Sequence, residues 1–143
     1  MLIEWPLTLY HDADCPLCAR EINFLRKRSD PTRLILVDIS AADFDAFQQT
    51  GRSLPVLQAS LHGQDASGRW FTGLDATRAS WLAGGFKRAS WILGLPPVRW
   101  LLLPGYRLFA WLRPSLHWLP HPDGAARCKT GGCDIPPGNA EKR

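Results

Sequence analysis

Leu7-Thr8-Leu9-Tyr10-His11-Asp12-Ala13-Asp14-Cys15-Pro16-Leu17-Cys18 is the stretch on which the reading of this chain turns. Leu7 to Tyr10 is a short run with strand character, and His11 to Asp14 is a polar turn. From Pro16 to about Arg28 the pattern becomes helical, because Cys18, Ile22 and Leu25 recur at i, i+4 and i+7 while Arg20, Asn23 and Lys27 fall elsewhere on the wheel. Pro16 suits a first helical turn, and Asp14 or Cys15 occupies the N-cap place. Arg26-Lys27-Arg28 complements the negative end of the helix dipole, and Ser29-Asp30-Pro31 stops the helix. Leu34-Ile35-Leu36-Val37 then reads as a strand covered on both faces. Strand, helix and buried strand make a βαβ unit, whose two strands run parallel.

Outward from this unit, Asp38 to Thr50 predicts a second short helix around Phe44 and Phe47, ended by Gly51. Ser53 to Leu61 admits two readings. Ser53 caps a helix with Pro55 in its first turn, or Pro55 is a cis-proline ahead of a strand through Val56-Leu57. Leu61 to Gln64 and Arg69 to Thr72 form a β-hairpin, with Gly68 supplying a positive φ in the turn. A helix follows from Leu74 to Leu82, closed by Gly84-Gly85. In the last third, Trp91, Trp100, Trp111 and Trp118 stand among Leu, Pro and Arg. They predict short helices separated by Pro96-Pro97, Pro104 and Pro114.

The chain has 143 residues, enough for one domain and one core. Residues 1–90 are read as the α/β domain, 91–120 as a Trp/Pro-rich helical extension packed on it, and 121–143 as a flexible tail. Hydrophobic residues at 45% and charged residues at 21% exclude a disordered chain. Four cysteines are too few for a disulfide-stapled miniprotein. A net charge of +4 makes no case for a nucleic-acid partner. Arginines and prolines interrupt the apolar stretch from Ala89 to Leu119, so no single spanning helix is expected, and Met1 to Pro6 lacks the pattern of a leader. The expected compartment is the cytoplasm, where paired cysteines point to redox chemistry or metal rather than structural bridges.

Cys15 and Cys18 carry the chemistry. At the mouth of a helix, Cys15 faces unpaired backbone N–H groups and the positive dipole end, which favour thiolate over thiol. Cys18 lies one turn deeper and within disulfide reach. Cys15 is therefore the candidate nucleophile and Cys18 the resolving thiol. Asp12 is a candidate proton acceptor for Cys18 or a residue that fixes the turn, and Asp14 a helix cap.

Tyr10 to Cys18 resembles the opening of the DCC-type thiol-disulfide oxidoreductases, whose Asp-x-x-Cys-x-x-Cys motif corresponds to Asp12, Cys15 and Cys18. The resemblance continues at Leu36-Val37-Asp38-Ile39, Leu61-His62, Asp65 to Arg69, Thr72-Gly73, Tyr106-Arg107 and Arg113, over about residues 7 to 115. It implies a thioredoxin-like fold, here a βαβ core with a β-hairpin and a C-terminal helical extension. It also implies dithiol–disulfide exchange with thiol or disulfide substrates, electrons from another thiol system, and no dissociable cofactor. His62 matches a family histidine beside the hairpin, which implies an approach to Cys15 or to substrate. One departure is Ala13, where the family carries glycine after the first Asp. Alanine resists a positive φ, so a reshaped turn is expected.

Two competing readings remain. Cys128 and Cys133 would complete a Cys₄ zinc site with Cys15 and Cys18, giving an interaction module. Against zinc stands the strand–turn–helix setting of Cys15. Alternatively the fold is a non-catalytic binding protein. Cys128 and Cys133 are read as incidental tail cysteines in preference to a second, relaying dithiol. The tryptophans are read as core and cover for the sheet in preference to a membrane-surface element.

Overall fold

The alternation of Leu7, Leu9 and Tyr10 along one strand settles the layering of the domain. In the computed structural model, which describes residues 2–112, 115 and 119, strand β1 (Leu7–His11) is followed by helix α1 (Pro16–Arg26) and strand β2 (Leu34–Asp38). Then come α2 (Ala46–Thr50), α3 (Leu54–Ala59), β3 (His62–Gln64), β4 (Trp70–Thr72), α4 (Leu74–Ala83), α5 (Lys87–Leu93) and α6 (Pro96–Leu112). The sheet order is β2-β1-β3-β4. β1 and β2 are parallel, in register from Leu7 opposite Leu34 to His11 opposite Asp38, as the βαβ reading requires. The β1–β3 and β3–β4 pairs are antiparallel. This mixed sheet with helices on both faces is a thioredoxin-like α/β arrangement.

Side chains alternate across a strand, so β1 feeds two cores. Leu7 and Leu9 are fully buried on one face against Ile22 and Leu25 of α1, Ala76, Ala79 and Ala83 of α4, and Phe71. Tyr10 turns to the other face, against Leu57 of α3 and Ile39, with Val37, Phe44 and Trp70 packed around them. The hairpin turn is held by Asp65, whose buried carboxylate accepts the Ser67 N–H at 3.1 Å, the Arg69 N–H at 3.0 Å and the Ser67 hydroxyl at 2.5 Å. Gly68 has φ 85°, as the turn requires.

Several sequence expectations are corrected. β2 is not covered on both faces. It forms one edge of the sheet, and Ile35 is 44% exposed. Residues 54–59 are helical with Pro55 in the first turn, and the cis peptide of the described residues is Trp5–Pro6, so Pro55 is trans. Of the expected proline breaks, Pro96-Pro97 does mark the boundary between α5 and α6, whereas Pro104 does not interrupt a helix. Pro96 and Pro97 sit in the first turn of α6, where a missing N–H costs nothing, and the helix continues through Pro104. Nor do the described tryptophans of α5 and α6 cover the sheet. Trp91, Trp100 and Trp111 are 64%, 78% and 76% exposed, and α6 buries no residue. Arg113, Pro114, His117, Trp118, His121, Cys128, Cys133 and the tail lie outside the described residues.

Two tests follow from this packing. Leu9→Ala leaves a cavity between α1, α4 and the sheet and is expected to cost about 2–5 kcal/mol in urea unfolding. Burial pushes the Asp65 carboxyl up, but hydrogen bonds from Ser67 and Arg69 and the Arg69 charge outweigh it, so the net lies below the usual carboxylate range. A carboxyl lowered in the folded state stabilises above its unfolded pKa, and that stabilisation is lost as pH falls through the folded value. The stability difference between wild type and Asp65→Asn is therefore expected to be full at neutral pH and to shrink on acidification below about pH 4.

Candidate active site

β1 ends at His11 and α1 starts at Pro16, so four residues must turn the chain; this short loop places the two sulfurs. Cys15 is the N-cap of α1 in extended conformation, with φ −80° and ψ 116°, and Pro16 follows at the first helical position. Its carbonyl accepts the Ala19 N–H at 2.9 Å, which starts the helical ladder. Cys15 is buried, Cys18 is half-buried one turn on, and the two are separate thiols. Asp14 does not cap the helix, since Cys15 holds that position. Instead the Asp14 N–H donates to Asp12 Oδ1 at 3.0 Å, and the Cys15 N–H to the Asp12 carbonyl at 3.3 Å. Of the two readings of Asp12, the turn-fixing one has this direct geometry.

A second carboxylate steadies the same loop from across the sheet. Asp38, at the end of β2, accepts the Ala13 N–H at 3.2 Å on the same Oδ1 that takes the Ser40 N–H at 2.9 Å and the Ser40 hydroxyl at 2.6 Å. No described non-glycine residue has a positive φ, so Ala13 fits the turn without strain. The expected reshaping at this position reduces to ordinary backbone that an alanine adopts freely.

Beside Cys18 a cleft of about 80 Å³ opens, lined among others by Asp12, Glu21, Leu61, Tyr106 and Phe109. Glu21 was not singled out from the sequence. It lies three residues after Cys18 on α1, and Trp81 Nε1 donates to its Oε1 at 3.2 Å. Burial pushes its carboxyl up, partly offset by the Trp81 hydrogen bond. A wider depression of about 540 Å³ between Phe44, Phe47 and Leu54 contains no cysteine or histidine.

Tyr106 closes the other side of the cleft. Its hydroxyl accepts the Leu61 N–H at 3.2 Å, just ahead of β3. Gly73 has φ 56°, and a Cβ there would stand 3.0 Å from the Tyr106 ring, so glycine is required twice over. α6 is tied down by Arg99, whose Nη2 donates to Asp75 Oδ2 at 3.0 Å and whose guanidinium holds the Asp75 carboxyl below the usual range.

His62 is placed elsewhere. It pairs with Tyr10 across β1–β3 and so points to the face opposite α1. Its Nδ1 hydrogen-bonds the Ser60 carbonyl at 2.8 Å, and its ring lies edge-on to Trp70. Burial pushes its pKa down, which keeps the imidazole neutral at physiological pH. The structure thus brings Asp12, Cys15 and Cys18 together and sets His62 in the second core. Among the described residues no group of three or more His, Cys, Asp or Glu is arranged to hold a metal ion. The Cys₄ reading depends on Cys128 and Cys133, outside those residues.

An uncharacterized chloroplastic protein of Arabidopsis thaliana is 32% identical to the chain over 76 residues, 52% of this chain. The chain covers 36% of that protein's length. No solved structure matches the chain. The model of the DCC1-like thiol-disulfide oxidoreductase family matches residues 9–119, from the middle of β1 through both cysteines and past the end of α6. With the paired sulfurs and their supporting loop inside that span, the chain belongs to the DCC1-like thiol-disulfide oxidoreductase family.

Proposed function

We propose that this protein exchanges a Cys15–Cys18 dithiol for a disulfide on a thiol-bearing substrate, in the main a protein. The observation that carries this reading is the placement of Cys15 as N-cap of α1 with Cys18 one turn deeper at the rim of a cleft. The Cys15 thiolate attacks one sulfur of the substrate disulfide, forming a mixed disulfide and releasing the first substrate thiolate. The Cys18 thiolate then attacks the Cys15 sulfur. The second substrate thiolate leaves, and the protein retains a Cys15–Cys18 disulfide. Two electrons pass to the substrate, whose two sulfurs take up the two protons. Another thiol system returns the pair to the reduced state, and the reverse sequence oxidises a substrate dithiol.

Cys18 must lose its proton before it can resolve the mixed disulfide. Asp12 and Glu21 both line its cleft. Glu21 is the candidate proton acceptor, because a half-buried carboxyl with a raised pKa lies closer to the working pH than an ordinary one. Asp12 and Asp38 hold the loop, and His62 supports the second core. Residues 1–90 form the redox domain in this reading, with 91–120 as an extension docked on it. A reducing compartment, the cytoplasm, keeps the dithiol form available. The zinc-module reading is not favoured by the family match or by the helix-mouth position.

Cys15→Ser is expected to abolish reduction of insulin disulfides, and Cys18→Ser to accumulate a mixed disulfide visible on non-reducing gels. Activity unchanged in Cys15→Ser, or one zinc per chain bound through Cys15 and Cys18, would overturn the reading. Glu21→Gln keeps an acceptor for Trp81 but cannot take a proton. It is expected to slow resolution about 10–100-fold and to flatten the pH–rate profile, read in single-turnover kinetics. Its stability effect has a defined sign. A carboxyl raised in the folded state favours folding least once ionised, so Glu21→Gln is expected to gain stability over wild type as pH rises above the ordinary carboxylate range, with the gain vanishing in acid.

A further inference from the structure

Helix α6 is amphipathic in an inverted sense. Its inner face sends Tyr106 and Phe109 to the cleft and Arg99 to Asp75. Its outer face exposes Trp100, Leu101, Leu108 and Trp111 along a helix of 17 residues, about 25 Å. Trp91 and Ile92 of α5 extend the exposed apolar surface. Isolated exposed apolar residues need no explanation, but a contiguous strip of tryptophan and leucine marks an interaction surface.

The charged residues that α5 and α6 themselves carry, Lys87, Arg88, Arg99 and Arg107, are all basic, and Arg99 is paired with Asp75 of α4. Between residues 76 and 122 the sequence carries six Lys or Arg and no Asp or Glu. Lys87, Arg88 and Arg107 are exposed on α5 and α6. From the exposed Trp and Leu residues and the exposed Lys87, Arg88 and Arg107 that the same two helices carry, we propose that the outer face of α5 and α6 docks on the surface of an anionic lipid bilayer. Tryptophan partitions to the boundary between headgroups and acyl chains, and lysine and arginine reach from there to lipid phosphates. A second copy of the chain would set cation against cation on this face. No helix among the described residues is long and apolar enough to cross a membrane, so α6 lies along the interface. The docking stands on the helix surface alone and does not depend on the dithiol chemistry.

Co-sedimentation of the full chain with vesicles tests this. Binding is expected to phosphatidylglycerol–phosphatidylcholine vesicles, weakly or not at all to pure phosphatidylcholine, and to fall about tenfold or more between roughly 0.1 and 1 M salt. Trp100→Ser with Trp111→Ser is expected to weaken binding at least tenfold or so. Arg88→Glu with Arg107→Glu, which leaves the apolar strip intact, is expected to erase the preference for phosphatidylglycerol. Wild-type protein left in the supernatant with both vesicle types overturns the proposal. So does equal binding to the two lipids, or binding undiminished in both double variants. A dimer in sedimentation equilibrium that dissociates in the tryptophan variant would assign the face to a second copy and also overturn it.

Discussion

Strand β1 has to satisfy two cores at once, and the site inherits its position from that requirement. Leu7 and Leu9 fix the strand against α1 and α4, while Tyr10 fixes it against α3. A register slip of one residue would exchange these faces and bury the wrong side chains, so the end of β1 is set along the strand as well as across it. The dithiol loop leaves from that end. Rigid support on one side is completed by Asp38, which reaches the loop from the neighbouring strand. The cysteines are thus held by a backbone that a buried strand and a carboxylate both constrain.

The parts of this fold that follow from local periodicity were legible in the sequence. The β1–α1–β2 unit, the hairpin at Gly68 and α4 each combine a clear period with a turn signal. What escaped are properties set by partners far along the chain. Four apolar residues at Leu34 to Val37 look alike in a central strand and at an edge, and only the sheet order tells them apart. Pro104 reads as a breaker by its own chemistry. In α6 it lies on the exposed side, where water can serve the backbone carbonyl that loses its partner. Glu21 reads as an ordinary polar position on an amphipathic helix. Its hydrogen-bond partner, Trp81, is sixty residues away.

His62 and Glu21 illustrate how little residue type alone says about a site. Histidine is the usual candidate for proton transfer near neutral pH, yet register turns His62 toward Tyr10 and Trp70 and gives its ring nitrogen to the Ser60 carbonyl. Glutamate is ordinarily ionised and solvated. Here desolvation beside a tryptophan brings its carboxyl toward the range in which protons are exchanged. The two shifts have one cause, burial, acting on groups of opposite charge type. One is left neutral and fixed, and the other is made a more useful base.

The placement of β2 at the sheet edge bears on how this protein behaves in a crowded solution. An edge strand of five residues with Ile35 turned outward is a template to which another extended chain can hydrogen-bond. β4, the opposite edge, has three residues and offers much less. β2 carries its own guard: Arg33 precedes it and Asp38 ends it. An incoming strand would have to bring its backbone past both charges. Asp38 therefore serves solubility and loop geometry through one carboxylate, and exchanging it for an uncharged residue would loosen the dithiol loop and open the strand to aggregation together.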